Sequence, residues 1–143
     1  MHKQKYQRTD FDFWTTIETR WRDLDALRHI NHSTYLTYME DARIAFYQEM
    51  GMVEDRWDEN VATILGGMSI SWIKQVKHPS SLEIGQRMSR IGSTSFDLLT
   101  GIYIQNESDP VFVANFKLVA FDYTRNKSAP VPSIFHVWHN PIK

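Results

Sequence analysis

Within ten residues, Asp23 to His32, the chain gathers two carboxylates, two imidazoles, a guanidinium and an amide: Asp-Leu-Asp-Ala-Leu-Arg-His-Ile-Asn-His. No other stretch crowds acids, bases and amides together in this way. Asp25 stands just past a predicted strand, and His32 follows seven residues later at the predicted start of a helix. A carboxylate placed there can activate a water as general base or attack an acyl carbon as nucleophile. The free N–H groups and positive dipole end of the helix can hold an oxyanion. His32 can orient a substrate, shuttle a proton or supply only its backbone N–H. Together these groups suit hydrolysis of an activated ester better than phosphoryl transfer. The chain has neither a P-loop nor a glycine-rich dinucleotide fingerprint.

Other readings of the same residues stand beside this one. Asp23 and Asp25 are also the residue type that caps turns and helix starts. Taken singly, His29 and His32 read as surface residues. The spacing of Asp25, His29 and His32 matches no zinc pattern, and no further ligand cluster accompanies it, so no metal is expected. Lys74, Lys77 and His78 form a small basic cluster that reads as a solvated face, with contact to a nucleotide phosphate as the alternative. Ser93, Thr94 and Ser95 read as a turn, without a serine-hydrolase motif around them.

The elements that must position the segment follow from periodicity. Phe13, Thr15, Ile17, Thr19 and Trp21 alternate with Trp14, Thr16, Glu18, Arg20 and Arg22, which predicts a first strand over about 12–22. A helix is predicted over about 33–50, capped by Asn31 or Ser33 and closed by Gly51. Its apolar arc, from Tyr35 through Met39 and Ala42 to Phe46 with Leu36 and Tyr47 beside it, is wide enough to predict a largely enclosed helix. Residues 53–60 read as a polar connection containing Trp57. A long apolar strand over 61–76 carries Gly66-Gly67, which predicts a bulge. Strands around Leu82–Met88, Phe96–Ile104 and Phe112–Ala120 follow, joined by turns at His78–Ser81, Gly92–Thr94 and Asn106–Pro110. A short edge strand is expected at Ile134–Trp138. Strand, long helix and four strands on short turns describe an α+β fold in which one helix covers one face of an antiparallel sheet. The other face is expected to find cover by self-association.

Composition narrows the class. The 143 residues are 42% hydrophobic and 13% aromatic, enough for one domain with a β-rich core. A net charge of -1 gives no reason to expect a global basic surface for nucleic acid, and leaves room only for a local patch. The chain contains no cysteine, which removes disulfides and thiolate chemistry and fits a cytoplasmic protein. The first eight residues lead into no apolar run, so no signal peptide is expected, and no stretch is apolar enough to span a membrane.

The run Trp21 to Arg43, W-R-D-L-D-A-L-R-H-I-N-H-S-T-Y-L-T-Y-M-E-D-A-R, resembles the signature of hotdog-fold acyl-CoA thioesterases. It is most similar to the 4-hydroxybenzoyl-CoA thioesterase group, including its Tol-Pal-associated branch. That signature is an Asp-x-Asp strand end, a Gly-His-Val-Asn-like turn, and a helix carrying Tyr, Glu and Ala-Arg. A weaker match is the run Leu118 to Thr124, followed by Pro130-Val131-Pro132, which resembles the family's last long strand and tail. Strand order agrees in between, so the resemblance covers nearly the whole chain.

The resemblance implies a single hotdog domain over residues 1–143, its long helix wrapped by a five- to six-stranded antiparallel sheet. It implies a homodimer with sites at the subunit interface, which can pair again into a homotetramer. The implied activity is hydrolysis of an acyl-CoA thioester, with no cofactor. Asp25 matches the catalytic carboxylate. His32 matches the residue that offers its backbone N–H to the thioester carbonyl. His29 and Asn31 match the His and Asn of the common turn and, with Arg28, are assigned to substrate binding. Tyr35, assigned there too, matches a helix tyrosine facing the acyl pocket or the core. Glu40 matches the helix glutamate, read as structural, with a catalytic role like that of the helix Glu in another branch as the fallback. Where the family has glycine, this chain has Arg28. That position favours positive φ, so Arg28 either changes the backbone or bears strain, and its side chain can reach a coenzyme phosphate or narrow the acyl pocket. Three alternatives stay open: hydrolysis of an acyl group on a carrier protein, a hydratase or dehydratase, and a non-catalytic acyl-binding protein.

Overall fold

The computed structural model describes residues 5–52 and 61–142. Alternating side chains carry the first strand, β1, from Phe13 to Glu18 only. The alternation in the sequence runs on to Arg22, but the chain leaves the sheet earlier. The Asp23 carboxylate accepts the Arg20 N–H, and the backbone tightens into a 3₁₀ turn over Trp21–Asp23.

The long helix, α1, spans His32–Glu49. Of the two candidate caps the fold uses Asn31, whose Oδ1 accepts the Ser33 N–H at 2.9 Å and the Ser33 hydroxyl at 2.7 Å. Gly51, at φ 101°, ends the helix in the left-handed region, where glycine pays no Cβ penalty. The helix is not enclosed on all sides. Tyr35, Tyr38, Met39, Ala42, Phe46 and Tyr47 are buried, whereas Thr37, Glu40, Asp41, Ile44, Gln48 and Glu49 are exposed. The wide arc comes from aromatic side chains that reach sideways along the sheet.

The remaining strands are β2 (Val61–Trp72), β3 (Ser81–Ile91), β4 (Ser95–Ile104), β5 (Pro110–Asp122) and the two-residue β6 (Lys127–Ser128). They form one six-stranded sheet in the order β1-β3-β4-β5-β2, with β6 on β5 and every named pairing antiparallel. This is the hotdog architecture, a curled antiparallel sheet around one long helix. The expected bulge is present: the register of β2 against β5 slips between Leu65 and Gly67. Strand β2 ends at Trp72, short of the expected 76. The polar connection expected at 53–60 lies outside the described residues.

The core fills the space between α1 and the inner face of the sheet. Phe13 stacks on Phe46 at 4.8 Å, and Phe135 stacks on Tyr47 at 5.5 Å while meeting Phe96 edge-on. Phe135 belongs to a 3₁₀ helix, Ser133–Trp138, where a short strand was expected. Phe135 and Trp138 both pack inward, Trp138 against Phe46, while Val137 is exposed. That spacing of three fits a 3₁₀ turn and not a pleat.

The outer face of the sheet is covered in part by the chain's own ends. Gly85 and Gly101 are opposite one another on β3 and β4, and Phe11 lies over both. A Cβ at either glycine would come within 2.7 Å of Phe11. Arg8 sits 4.8 Å above the Tyr103 ring, and Arg87 donates to the carbonyls of Asn140 and Pro141. A run of exposed apolar side chains lies along the edge strand β2, at Ile64, Leu65, Met68 and Trp72, with Ile73 just beyond. No helix among the described residues is long and apolar enough to cross a membrane.

Candidate active site

Between the 3₁₀ turn and α1 the chain makes a miniature hairpin. Leu24 bridges Ile30, Arg28 N–H donates to the Asp25 carbonyl at 3.0 Å, and Asp25 N–H donates to the His29 carbonyl at 2.9 Å. That pattern is a three-residue loop, Ala26 to Arg28, whose last residue must be left-handed. Arg28 occupies it at φ 64°. It therefore takes the backbone that glycine would take, at a cost of about 1–2 kcal/mol for a residue with a Cβ. The loop is otherwise well matched to its sequence. Asp25 Oδ1 accepts the Leu27 N–H at 2.9 Å, an Asx turn that aspartate forms readily.

The two aspartates sit in different surroundings. Asp23 is buried, with Oδ2 accepting from the Arg20 N–H and from the Tyr38 hydroxyl, and Oδ1 accepting from the Arg20 guanidinium at 3.2 Å. Its carbonyl accepts the Asn31 N–H at 2.9 Å, which fixes the mouth of the loop. Burial opposes ionisation of Asp23, but the bonds from Tyr38 and Arg20 outweigh it and hold the carboxyl below its ordinary range. Burial, and then the bond to Asp23, push the Tyr38 hydroxyl well above the ordinary phenol range. Asp25 is half-buried, and its Oδ2 has no hydrogen-bond partner among the described residues.

Asp25, His29, His32 and Tyr35 line one cavity of about 300 Å³, together with Leu27, Ile30, Trp72, Ile73, Lys74 and Gln75. His32 is the first residue of α1, and its N–H takes no acceptor among the described residues. Its ring lies 4.7 Å from Trp72. Tyr35 is buried, stacked on Phe112 at 5.4 Å and edge-on to Trp72 at 5.2 Å. Burial raises the Tyr35 hydroxyl above its ordinary range, partly offset by a hydrogen bond with the backbone of Val76.

Arg28 does not line this cavity. It lines a second one, of about 820 Å³, which shares Asp25 and His29 with the first. Asn31 lines neither, because its side chain is committed to the helix cap. Glu40 lies exposed on α1, away from both. The sequence reading missed Trp72. The indole stands forty residues beyond His32 at the end of β2, and only the pairing of β2 with β5 sets it beside Phe112 and Tyr35. No local signal marks it.

Comparisons with known proteins agree with the fold. The model of the thioesterase-like superfamily matches residues 19–138. YsmA of Bacillus subtilis (strain 168) is 25% identical over 91 residues, 64% of this chain and 60% of that protein. The PA5185 protein of Pseudomonas aeruginosa strain PAO1 superposes with a TM-score of 0.88 at 19% identity, over 98% of this chain and all of its own. A DHNA-CoA thioesterase of Staphylococcus aureus superposes with a TM-score of 0.77 at 17% identity, over 87% of this chain and 84% of that one. At such identities the superpositions speak for the fold.

Proposed function

The chain belongs to the thioesterase-like superfamily, and from that premise we propose that it hydrolyses an acyl-CoA thioester to a free acid and coenzyme A. One observation carries the reading. A carboxylate oxygen on Asp25 and a helix-start N–H on His32, neither with a hydrogen-bond partner among the described residues, belong to residues lining the same cavity. The aromatic and aliphatic wall of Ile30, Tyr35, Trp72 and Ile73 takes the acyl group. Asp25 removes a proton from water, the resulting hydroxide adds to the thioester carbon, and the carbonyl oxygen becomes an oxyanion. The His32 N–H and the positive end of α1 stabilise that charge. Collapse of the adduct breaks the carbon–sulfur bond, and the proton held by Asp25 passes to the departing thiolate. Direct attack by Asp25 on the acyl carbon, with water cleaving the resulting anhydride, satisfies the same geometry.

The working unit in this reading is a homodimer. The apolar edge along β2 needs cover, and Trp72 belongs both to that edge and to the cavity wall. A second copy on β2 would then complete the site.

Thiol release from a panel of acyl-CoAs of varied chain length, on wild type and Asp25→Asn, tests the proposal. Cleavage of at least one ester, lost in the variant, is expected. Failure to cleave any ester, or a variant as fast as wild type, would sink the mechanism. Light scattering should report a dimer, dissociated by Met68→Asp.

A further inference from the structure

We propose that the larger cavity beside Asp25 binds the adenosine bisphosphate half of coenzyme A, with Arg28 and Lys77 meeting phosphates and Trp21 lying against the base. This rests on the acyl-CoA reading above and chooses the coenzyme over a carrier protein as the thiol's bearer.

Three separate parts of the chain converge on this cavity. Trp21 comes from the turn after β1, Arg28 and His29 from the loop before α1, and Lys77 and His78 from the connection between β2 and β3. The cavity shares Asp25 and His29 with the smaller one, so a substrate can lie across both with its reacting bond at the shared residues. The division of size is apt. The coenzyme is the larger part of most acyl-CoAs, and the larger cavity, about 820 Å³ against 300 Å³, carries two cations outside any ion pair among the described residues, whereas Lys74 of the smaller one pairs with Glu107 at 3.4 Å.

The chemistry of the lining points the same way. The smaller cavity sets Leu27, Ile30, Tyr35, Trp72 and Ile73 beside its polar groups, whereas the larger one, with only Leu24 as an aliphatic lining residue, brings a guanidinium, an ammonium and two imidazoles around one indole. Neither Arg28 nor Lys77 has an ion-pair partner among the described residues, although Asp25 lines the same cavity. Their charges are therefore available to a dianionic phosphate. Arg28 holds its place at a backbone position that glycine would fill without strain, and strain of that kind gathers at functional sites.

Trp21 is 79% exposed, an unusual state for an indole, and one edge is set by His78 at 6.2 Å. The His78 ring is itself anchored, with Nδ1 2.8 Å from the Thr19 hydroxyl. A flat ring beside paired cations is how proteins hold a nucleotide whose base is to be stacked and whose phosphates are to be neutralised. An acidic carrier protein would use the cations but leave the indole without a partner.

The test compares two thioesters of one acyl group, the CoA ester and the N-acetylcysteamine ester, which lacks the nucleotide. In Lys77→Ala and in Trp21→Ala the ratio of kcat/KM for the CoA ester to that for the short ester should fall about tenfold, through KM. A ratio unchanged in both variants would overturn the inference. A second arm measures binding of free adenosine bisphosphate to the intact protein by calorimetry. Binding by wild type, weakened about tenfold in Lys77→Ala, supports the site, and no binding overturns it. This arm also decides the case if wild type cleaves no thioester, so failure of the reaction and failure of the site can be told apart. Preference for a carrier-protein thioester over the CoA ester, with no nucleotide binding, would also overturn it.

Discussion

Asp23 and Asp25 lie two residues apart in the chain, are identical in chemistry, and end up in opposite conditions. Asp23 is buried and takes hydrogen bonds from Tyr38, the Arg20 N–H and the Arg20 guanidinium. Asp25 spends one oxygen on the Leu27 N–H and keeps the other without a partner among the described residues, at the edge of two cavities. The first is a stable anion that organises backbone, tying the turn after β1 to the loop mouth and to α1. The second carries a lone pair that a water or an acyl carbon can reach. A carboxylate that is fully bonded contributes to folding, and one left partly unbonded next to a helix N-terminus can contribute to chemistry. The same local sequence yields both because the 3₁₀ turn at Trp21–Asp23 rotates one aspartate inward and the hairpin after it leaves the next at the surface.

The sharpest way to break this contrast is kinetic. Asp25→Asn keeps an oxygen for the Leu27 N–H but loses the base, so kcat should fall by about 100-fold or more while stability stays within about 0.5 kcal/mol. Steady-state kinetics and thermal unfolding of the one variant check both halves. Asp23→Asn should do the reverse. Losing the charge that Arg20 and Tyr38 address should cost about 2 kcal/mol in urea unfolding. Tyr38→Phe, which leaves the Arg20 bonds in place, should cost about 1 kcal/mol in the same measurement.

Acid sharpens the contrast further. The Asp23 carboxyl titrates lower in the folded protein than in the unfolded chain, so below about pH 4 the unfolded state binds more protons. The stability that Asp23 contributes is therefore full above the ordinary carboxylate range and is lost as pH falls through its depressed folded value. Unfolding free energies measured from pH 6 downward should drop less steeply in Asp23→Asn than in wild type. The smallest expected effect is at Arg28. Arg28→Gly removes the left-handed strain and adds back chain entropy, a net gain of about 0.5 kcal/mol by thermal unfolding.

Much of the site was legible because it is local. A strand, two aspartates, a histidine-bearing turn and an amphipathic helix follow one another within about thirty residues, so periodicity and capping rules suffice to align Asp25 with the start of α1. Gly51 and the Gly66 bulge were legible for the same reason. The end of β1 was not, since Trp21 continues the alternation and only the buried Asp23 carboxylate reveals that the backbone has turned. Asn31 looked as fit for substrate as for capping, and the choice depended on where Ser33 fell. Lys77 and His78 read as a solvated face, and the fold instead sets them against Trp21 and Arg28 around one cavity.

By itself the sequence determined the order of β1, α1 and β2 to β5, the α+β class and the segment that bears the candidate carboxylate, because propensity, alternation and caps act over a few residues. Tertiary structure alone decided which aspartate is buried, which indoles flank the candidate site, and that the outer face of the sheet is covered in part by the chain's own ends. Those outcomes depend on contacts between residues tens of positions apart. There the register of β2 on β5, and of β3 on β4, selects the neighbours, and no local rule encodes it.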